Sequence, residues 1–288
     1  MDRLAETFEE HRPALLGLAY RLLGSMWDAE DVVQDAYVRW SRVDRDEVRD
    51  PRAYLVTVVS RLALDQLRSA RVTREAYVGP WLPEPVQTDV LGPLESAELR
   101  DTVSYATLHL MERLSPPERL VFVLREAFAL PYDDVAEIVG SSSAACRQTY
   151  HRARQRLGEG RERFRPSGEE HSRLLGRFLD AAGTGDLDAL AELFSEDVTV
   201  WTDGGGKTRA ARRPVHGRDK AIAFLLGLAS RYAVDDVRLI EVNGEPAVWL
   251  TIDGQGEVVT IGVRDGRIGD VFVVLNPDKL AHAAPGPE

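Results

Sequence analysis

The chain has 288 residues with 47 acidic and 36 basic side chains, a formal charge of −11, and 44% hydrophobic residues. That length exceeds one ordinary domain and supplies apolar material for two or three cores, while one cysteine, Cys146, excludes a disulfide framework and has no partner at zinc-like spacing. An acidic body opposes phosphate, so contact with duplex DNA has to come from local basic patches and a larger partner; the acidic start MDRLAETFEEHRPALL is no secretory leader and no run spans a bilayer, so a cytoplasmic protein without membrane contact is expected.

Residues 1–75 predict a helical bundle. Phe8, Leu15, Leu16, Leu18, Ala19, Leu22 and Leu23 mark the first helix, closed by Gly24-Ser25. In DAEDVVQDAYVRW, Val32, Val33, Ala36, Tyr37 and Trp40 can face inward and leave Asp28, Asp31, Gln34 and Asp35 as an acidic face. Carboxylates near a helix start also suit its dipole, which alone would explain them. After a polar loop over 41–50, Pro51 opens a third helix with Leu55, Val58, Val59, Leu62 and Leu67 inward. Arg52, Arg61, Arg68 and Arg71 line its outside.

Residues 76–93, AYVGPWLPEPVQTDVLGP, read as a linker, since proline and glycine exclude regular structure. Trp81 and Leu82 sit in its middle, so WLPEP (Trp81, Leu82, Pro83, Glu84, Pro85) is expected to dock extended on a neighbouring surface. A helix from Leu94 leads into a helix-turn-helix, giving a second helical module over 94–165. Ser115 caps its first helix, which carries Leu120, Val121, Leu124 and Phe128 and stops at Pro131. The second, from Tyr132 to Val139, buries Val135, Ala136 and Val139, and Gly140 supplies the turn. Ser142 and Ser143 start a third helix with Ala145, Thr149, Ala153 and Leu157 on one stripe and Arg147, Gln148, His151 and Arg152 opposite. Arginine pairs with guanine and glutamine with adenine, so this order of elements points to major-groove reading. The basic run continues through Arg161, Arg163 and Arg165.

Beyond Arg165-Pro166 the pattern predicts an α+β domain over 168–288. Two helices precede a strand DVTVWTD, a loop GGGK and a helix from Gly217 to about Tyr232. Apolar runs between Asn243-Gly244, Gly254 to Gly256 and Asp265-Gly266 then predict hairpins, an antiparallel sheet with helices on one face and room for a cavity. DGGGK (Asp203, Gly204, Gly205, Gly206, Lys207) offers close backbone approach and a cation. NPDKL (Asn276, Pro277, Asp278, Lys279, Leu280) can cap the last strand, with a disordered tail expected after Ala281.

These residues resemble the extracytoplasmic-function (ECF) sigma factors of bacterial RNA polymerase, and WLPEP, DGGGK and NPDKL resemble the subgroup with a fused SnoaL-like (NTF2-like) cone. The resemblance implies that the Asp28, Asp31, Gln34 and Asp35 face docks on the clamp of the polymerase beta-prime subunit, and that the helix-turn-helix module meets the beta flap. It implies that Arg52, Arg61, Arg68 and Arg71 hold the separated strand of the −10 element, and that Ser142, Ser143, Arg147, Gln148, His151 and Arg152 read the −35 duplex. Arg61 stands where many members carry asparagine, which leaves the base preference open. The cone would regulate in cis through the three pentapeptides, with no cofactor, no metal and no catalysis, and could hold a small-molecule ligand. Two other readings are a free-standing helix-turn-helix regulator with a ligand-sensing cone, and an NTF2-fold isomerase or hydrolase using Asp203, His216 and Asp270.

Overall fold

The computed structural model describes residues 3–44, 48–91, 102–161 and 167–286. The helix expected from Leu94 begins outside the described residues, as do Arg163 and Arg165; of the side chains of Arg71 and Arg161 nothing is described. Backbone packing divides the chain into two compact units. The first comprises Met1–Glu75, Asp89–Val103 and Leu110–Gly158, and the second Ala76–Thr88, Ser104–His109 and Glu159–Glu288.

In the first unit, α1 (Arg3–Leu23), α2 (Met26–Trp40) and α3 (Pro51–Glu75) pack on one another. Gly24 turns the chain at φ 67°, and Ser25 Oγ accepts from Asp28 N at 3.2 Å, which starts α2. The core holds Leu15, Leu18, Leu22, Val33, Leu55 and Val59. Two residues depart from the helical spacing: Tyr37 is 39% exposed and meets Phe8 edge-on, and Leu62 is only half-buried.

A short helix, α4 (Tyr105–Met111), precedes the helix-turn-helix of α5 (Pro116–Glu126), α6 (Tyr132–Val139) and α7 (Ser143–Arg161). Ser115 and Glu118 form the reciprocal box that starts α5, and Gly140 closes α6 at φ 70°. The helix α5 stops at Glu126, before Pro131, because Ala129 adopts φ 51° and Phe128 lies past its end, half-buried. The α6 core residue is Ile138 and not Val139, and the buried stripe of α7 is Cys146, Ala153 and Leu157, with Ala145 and Thr149 at its margin. Both shifts are one residue, the width of a helical stripe's edge. Arg119, 2% exposed, is held by Glu112 and donates to Arg21 O at 3.1 Å; Glu112 also pairs with Arg74. Arg21 in turn reaches Thr102 Oγ1 at 2.8 Å, and burial lowers its guanidinium to about 10.

The second unit is built on a six-stranded sheet, ordered β2-β1-β6-β5-β4-β3. Its elements in chain order are α8 (Gly168–Thr184), α9 (Leu187–Leu193), β1 (Phe194–Asp203), β2 (Val215–His216), α10 (Arg218–Ala229), β3 (Val234–Val242), β4 (Glu245–Ile252), β5 (Gln255–Arg264) and β6 (Arg267–Val274). Three two-residue turns, Asn243-Gly244, Asp253-Gly254 and Asp265-Gly266, have positive φ at both positions, as twisted hairpins require. The sheet is not wholly antiparallel: β1 pairs with β6 in parallel, Trp201 opposite Phe272 and Asp203 opposite Val274. Hairpin turns dictate only the sequential pairs, and the crossover through α10 leaves β1 free to meet the last strand in the same direction. Helices α8 to α10 cover one face, where Val198, Val200, Val248, Val259, Ile261 and Val271 make the core with Leu174, Phe178 and Ala221. On the opposite face, Tyr105 lies 5.1 Å from Phe272 and His109 4.5 Å from Trp201, ring to ring.

Candidate functional site

The stretch 76–88 is built into the second unit, and there the three pentapeptides meet. Asp203, at the end of β1 and fully buried, takes four donors. Its Oδ1 accepts from Tyr77 Oη at 2.6 Å and Gly205 N at 3.1 Å. Its Oδ2 accepts from Leu82 N at 2.9 Å and Lys279 Nζ at 2.8 Å. Lys279 also donates to Leu82 O at 2.5 Å, and its ammonium stands 4.1 Å from the Trp81 ring centroid and 4.9 Å from that of Tyr77. One ion pair with saturated partners thus joins WLPEP to DGGGK and NPDKL.

Each neighbour in this cluster is positioned for a stated reason. Asn276 Nδ2 donates to Tyr77 Oη at 2.8 Å, while its Oδ1 accepts from Asp278 N at 3.1 Å and starts the turn that carries Lys279. Burial, with Asp203 alongside, pushes the Tyr77 hydroxyl well above its ordinary range, so it stays a donor. Gly205, at φ 57°, passes so close that a methyl there would lie 2.4 Å from Asn276 Nδ2. Gly204 is equally confined, its added methyl falling 2.8 Å from Thr208 O, and that of Gly206 would meet Val78 at 3.2 Å. Lys207 pairs with Asp278 in the open.

The extended segment continues through buried Pro83, Glu84 and Pro85. Tyr105 Oη donates to Pro83 O at 2.7 Å, Val86 and Asn243 exchange hydrogen bonds, and Gln87 N donates to His282 O at 2.9 Å. Gln87 Nε2 further donates to Ala284 O at 2.7 Å, and Leu280 and Ala283 are buried, so residues 282–284 are held in place where a loose tail was expected after Ala281. Tyr77, Gln87 and Tyr105 escaped the sequence reading, and Asn243 was read only as a hairpin turn. Tyr77 alone carried a signal, an aromatic side chain in a proline-rich stretch like Trp81.

Each of the three acid-base candidates is engaged by partners of its own. Asp203 is spent in this cluster; Asp270 accepts from Trp201 Nε1 at 2.8 Å and faces Arg264 at 3.5 Å; His216 Nδ1 contacts Thr199 Oγ1 at 3.1 Å. Thr199 is in register with both His216 and Asp270, which places them on the sheet face away from α8 to α10. Among the described residues no group of three or more His, Cys, Asp or Glu is placed to hold a metal, and no helix is long and apolar enough to cross a membrane.

In the first unit, α2 exposes Asp31, Gln34 and Asp35 together, and Asp28 accepts from Gln66 Nε2 at 3.3 Å. Trp27, 52% exposed beside them, was not singled out by the sequence pattern, which counted only charge. On α7, Arg147, Gln148, His151 and Arg152 line an open depression of about 390 Å³. Arg147 also stands 5.3 Å from the Tyr132 ring, and Arg152 Nε lies 3.8 Å from Glu118. Ser142 Oγ accepts from Ala145 N at 3.2 Å and Ser143 Oγ meets Asp133, so both hydroxyls hold the turn. On α3, Arg52 and Arg68 are exposed, Arg68 lying 3.4 Å from Asp65. Arg61 donates instead to Glu137 O at 3.0 Å and Ile138 O at 3.3 Å, carbonyls at the C-terminal end of α6.

Residues 7–73 match the Sigma-70 region 2 family, residues 105–157 the Sigma-70 region 4 family, and residues 175–282 the SnoaL-like domain family. The chain is 41% identical to the ECF RNA polymerase sigma factor SigJ of Mycobacterium tuberculosis, over 95% of this chain and 92% of that one. It is 33% identical to the probable ECF RNA polymerase sigma factor SigI of the same organism, over 97% and 95%. The crystal structure of Mycobacterium tuberculosis SigJ superposes with a TM-score of 0.79 at 38% identity, covering 96% of this chain and 98% of that one.

Proposed function

The chain belongs to the ECF RNA polymerase sigma factors, and on that premise we propose that its SnoaL-like domain controls promoter recognition by holding the tether between the two helical modules. As a sigma factor it binds core RNA polymerase and promoter DNA and directs initiation. The exposed Asp31, Gln34 and Asp35 of α2, with Asp28, dock on the beta-prime clamp, and region 4 docks on the beta flap. Arg147, Gln148, His151 and Arg152 read the −35 duplex from the exposed side of α7, with Ser142 and Ser143 fixing its entry. Arg52, Arg61, Arg68 and Arg71 of α3 hold the −10 strand, Arg61 once it leaves the α6 carbonyls. No step requires a covalent reaction or a cofactor.

The observation that carries the regulatory reading is the Asp203–Lys279 pair closed around Leu82. A dozen residues of free chain span about 40 Å. Holding 77–88 in the cone withdraws that length from the distance the two modules can separate, and hence from the promoter spacings they can bridge. Reconstituted transcription with core polymerase tests this on promoters whose −35 to −10 spacers are varied by one and two base pairs. Lys279→Ala is expected to accept a wider range of spacers than the wild type. An unchanged range would refute control through the tether, whereas absence of any promoter-specific transcript, with or without truncation near Pro166, would refute the polymerase role itself.

A further inference from the structure

The six-stranded sheet ends on two unlike edges. At one edge β2 is two residues long, whereas at the other β3 runs from Val234 to Val242. A long edge invites pairing with another chain, and natural proteins blunt it with charge, a bulge or a covering segment. In β3 both ends are blunted and the middle is not. The register shifts between Val234 and Asp236, a bulge, and at the far end Gln87 bridges Val242 while Asn243 N donates to Val86 O at 2.9 Å. Among the described residues nothing pairs with the outer side of the strand from Val237 to Glu241.

The hairpin turn decides which groups of that window point outward. A two-residue turn at Asn243-Gly244 makes Val242 and Glu245 a hydrogen-bonded pair, so Val242, Ile240 and Arg238 bond to β4. Val237, Leu239 and Glu241 then turn their N–H and C=O groups away from it. Their side chains share a face with Leu250 and Val248, opposite which Val237 and Leu239 stand. Val237 is nevertheless 55% exposed and Leu239 78%, the most exposed large hydrophobic side chain among the described residues. Unpaired backbone and bare apolar side chains thus coincide at the place where the sheet would continue.

This window is complementary to itself. In an antiparallel pair about a two-fold axis at Leu239, that residue stands opposite its copy, Val237 opposite Glu241 and Arg238 opposite Ile240. Every outward donor and acceptor from Val237 to Glu241 is met, and the Val237 and Leu239 side chains of both copies lie in one apolar cluster. The neighbouring registers are worse. With the axis at Arg238, arginine faces arginine and Asp235 faces Glu241; with the axis at Val237, pairing runs into the bulge and Leu239 faces Asp235. The charges that blunt the strand therefore also select one alignment.

We propose that the SnoaL-like domain joins a second copy of this chain through β3, extending the sheet across a two-fold axis at Leu239. So short a window makes a small interface, and the dimer is weak, with a dissociation constant on the order of 10 µM. The pairing does not depend on control through the tether.

Sedimentation equilibrium of the full-length protein, from about 1 to about 200 µM, is expected to show a monomer passing into a dimer. Leu239→Asp sets two carboxylates against each other on the axis and weakens the dimer about ten-fold or more. Leu239→Cys reports the alignment, because the Cα atoms of such a bonded pair lie about 5.5 Å apart, within disulfide reach, and the one native cysteine, Cys146, is buried. Mild oxidation should link Leu239→Cys into a covalent dimer and leave Arg238→Cys monomeric. Unfolding midpoints confirm that the variants fold. The proposal is overturned by a protein that stays monomeric over the whole range, by a dimer indifferent to Leu239→Asp, or by Arg238→Cys linking as readily as Leu239→Cys.

Discussion

The arginine-bearing helix α7 and the tether cluster both carry cationic side chains, yet they hold them in opposite environments. Arg147 and Arg152 are exposed and solvated, so their charge is available to a partner. Lys279, only 6% exposed, has no such freedom, because every donor is committed to Asp203, Leu82 or an aromatic ring. Removing an exposed cation therefore costs recognition, whereas removing a buried one costs structure, since the partner carboxylate is left without a countercharge. Composition alone treats the two as equal.

The largest expected effect breaks the buried side of that contrast. Lys279→Ala strands Asp203 and should lower the stability of the SnoaL-like domain by about 3–5 kcal/mol in denaturant titrations, with Asp203→Asn/Lys279→Met losing much less. Gly205→Ala should cost about 1–3 kcal/mol, because its φ of 57° and the approach of Asn276 both reject a methyl; thermal unfolding measures it.

A third prediction concerns acid. His171, 2% exposed on α8, is lowered to about 4 by burial, and a backbone hydrogen bond at Pro246 offsets this only in part. Glu245 Oε1, at 3.9 Å, is too distant to hold a proton on the ring. The unfolded chain takes up that proton near 6.5, so stability is fully present above this value and falls as pH drops toward 4. The loss should be on the order of 2 kcal/mol, absent in His171→Leu, and read from unfolding midpoints against pH. Smallest in stability terms, Arg147→Ala should leave the midpoint unchanged while reducing promoter-dependent transcription about ten-fold, with core polymerase binding intact.

What the sequence made legible follows the range of the interactions involved. The Ser115 cap, Gly140 and the Asn243-Gly244 and Asp265-Gly266 turns are local devices, and each stands where its neighbours in sequence demand, while the turn expected over Gly254 to Gly256 closes earlier, at Asp253-Gly254. Trp81 signalled a docked linker because an aromatic side chain is costly in water, and DGGGK signalled close approach because only glycine permits it. The partnership of Asp203 with Lys279, 76 residues apart, could not be read this way, nor could the parallel pairing of β1 with β6. Both depend on which strand end a crossover delivers beside another, a choice no local pattern records. Arg61 illustrates the same limit: its position on an exposed stripe suggested nucleic acid, and its contact with the end of α6 comes from tertiary placement.

The parallel β1–β6 pair also sets an order of events during synthesis. The groups that close on Leu82 come from opposite ends of the cone's sequence, and Lys279 follows the final strand. A nascent chain emerging from the ribosome exposes both promoter-reading modules before the residues that restrain their connection exist, and N-terminal modules fold as they appear. On the proposed control through the tether, each newly made molecule passes through an unrestrained interval before Lys279 joins the chain, and slowing elongation over the last strands prolongs it.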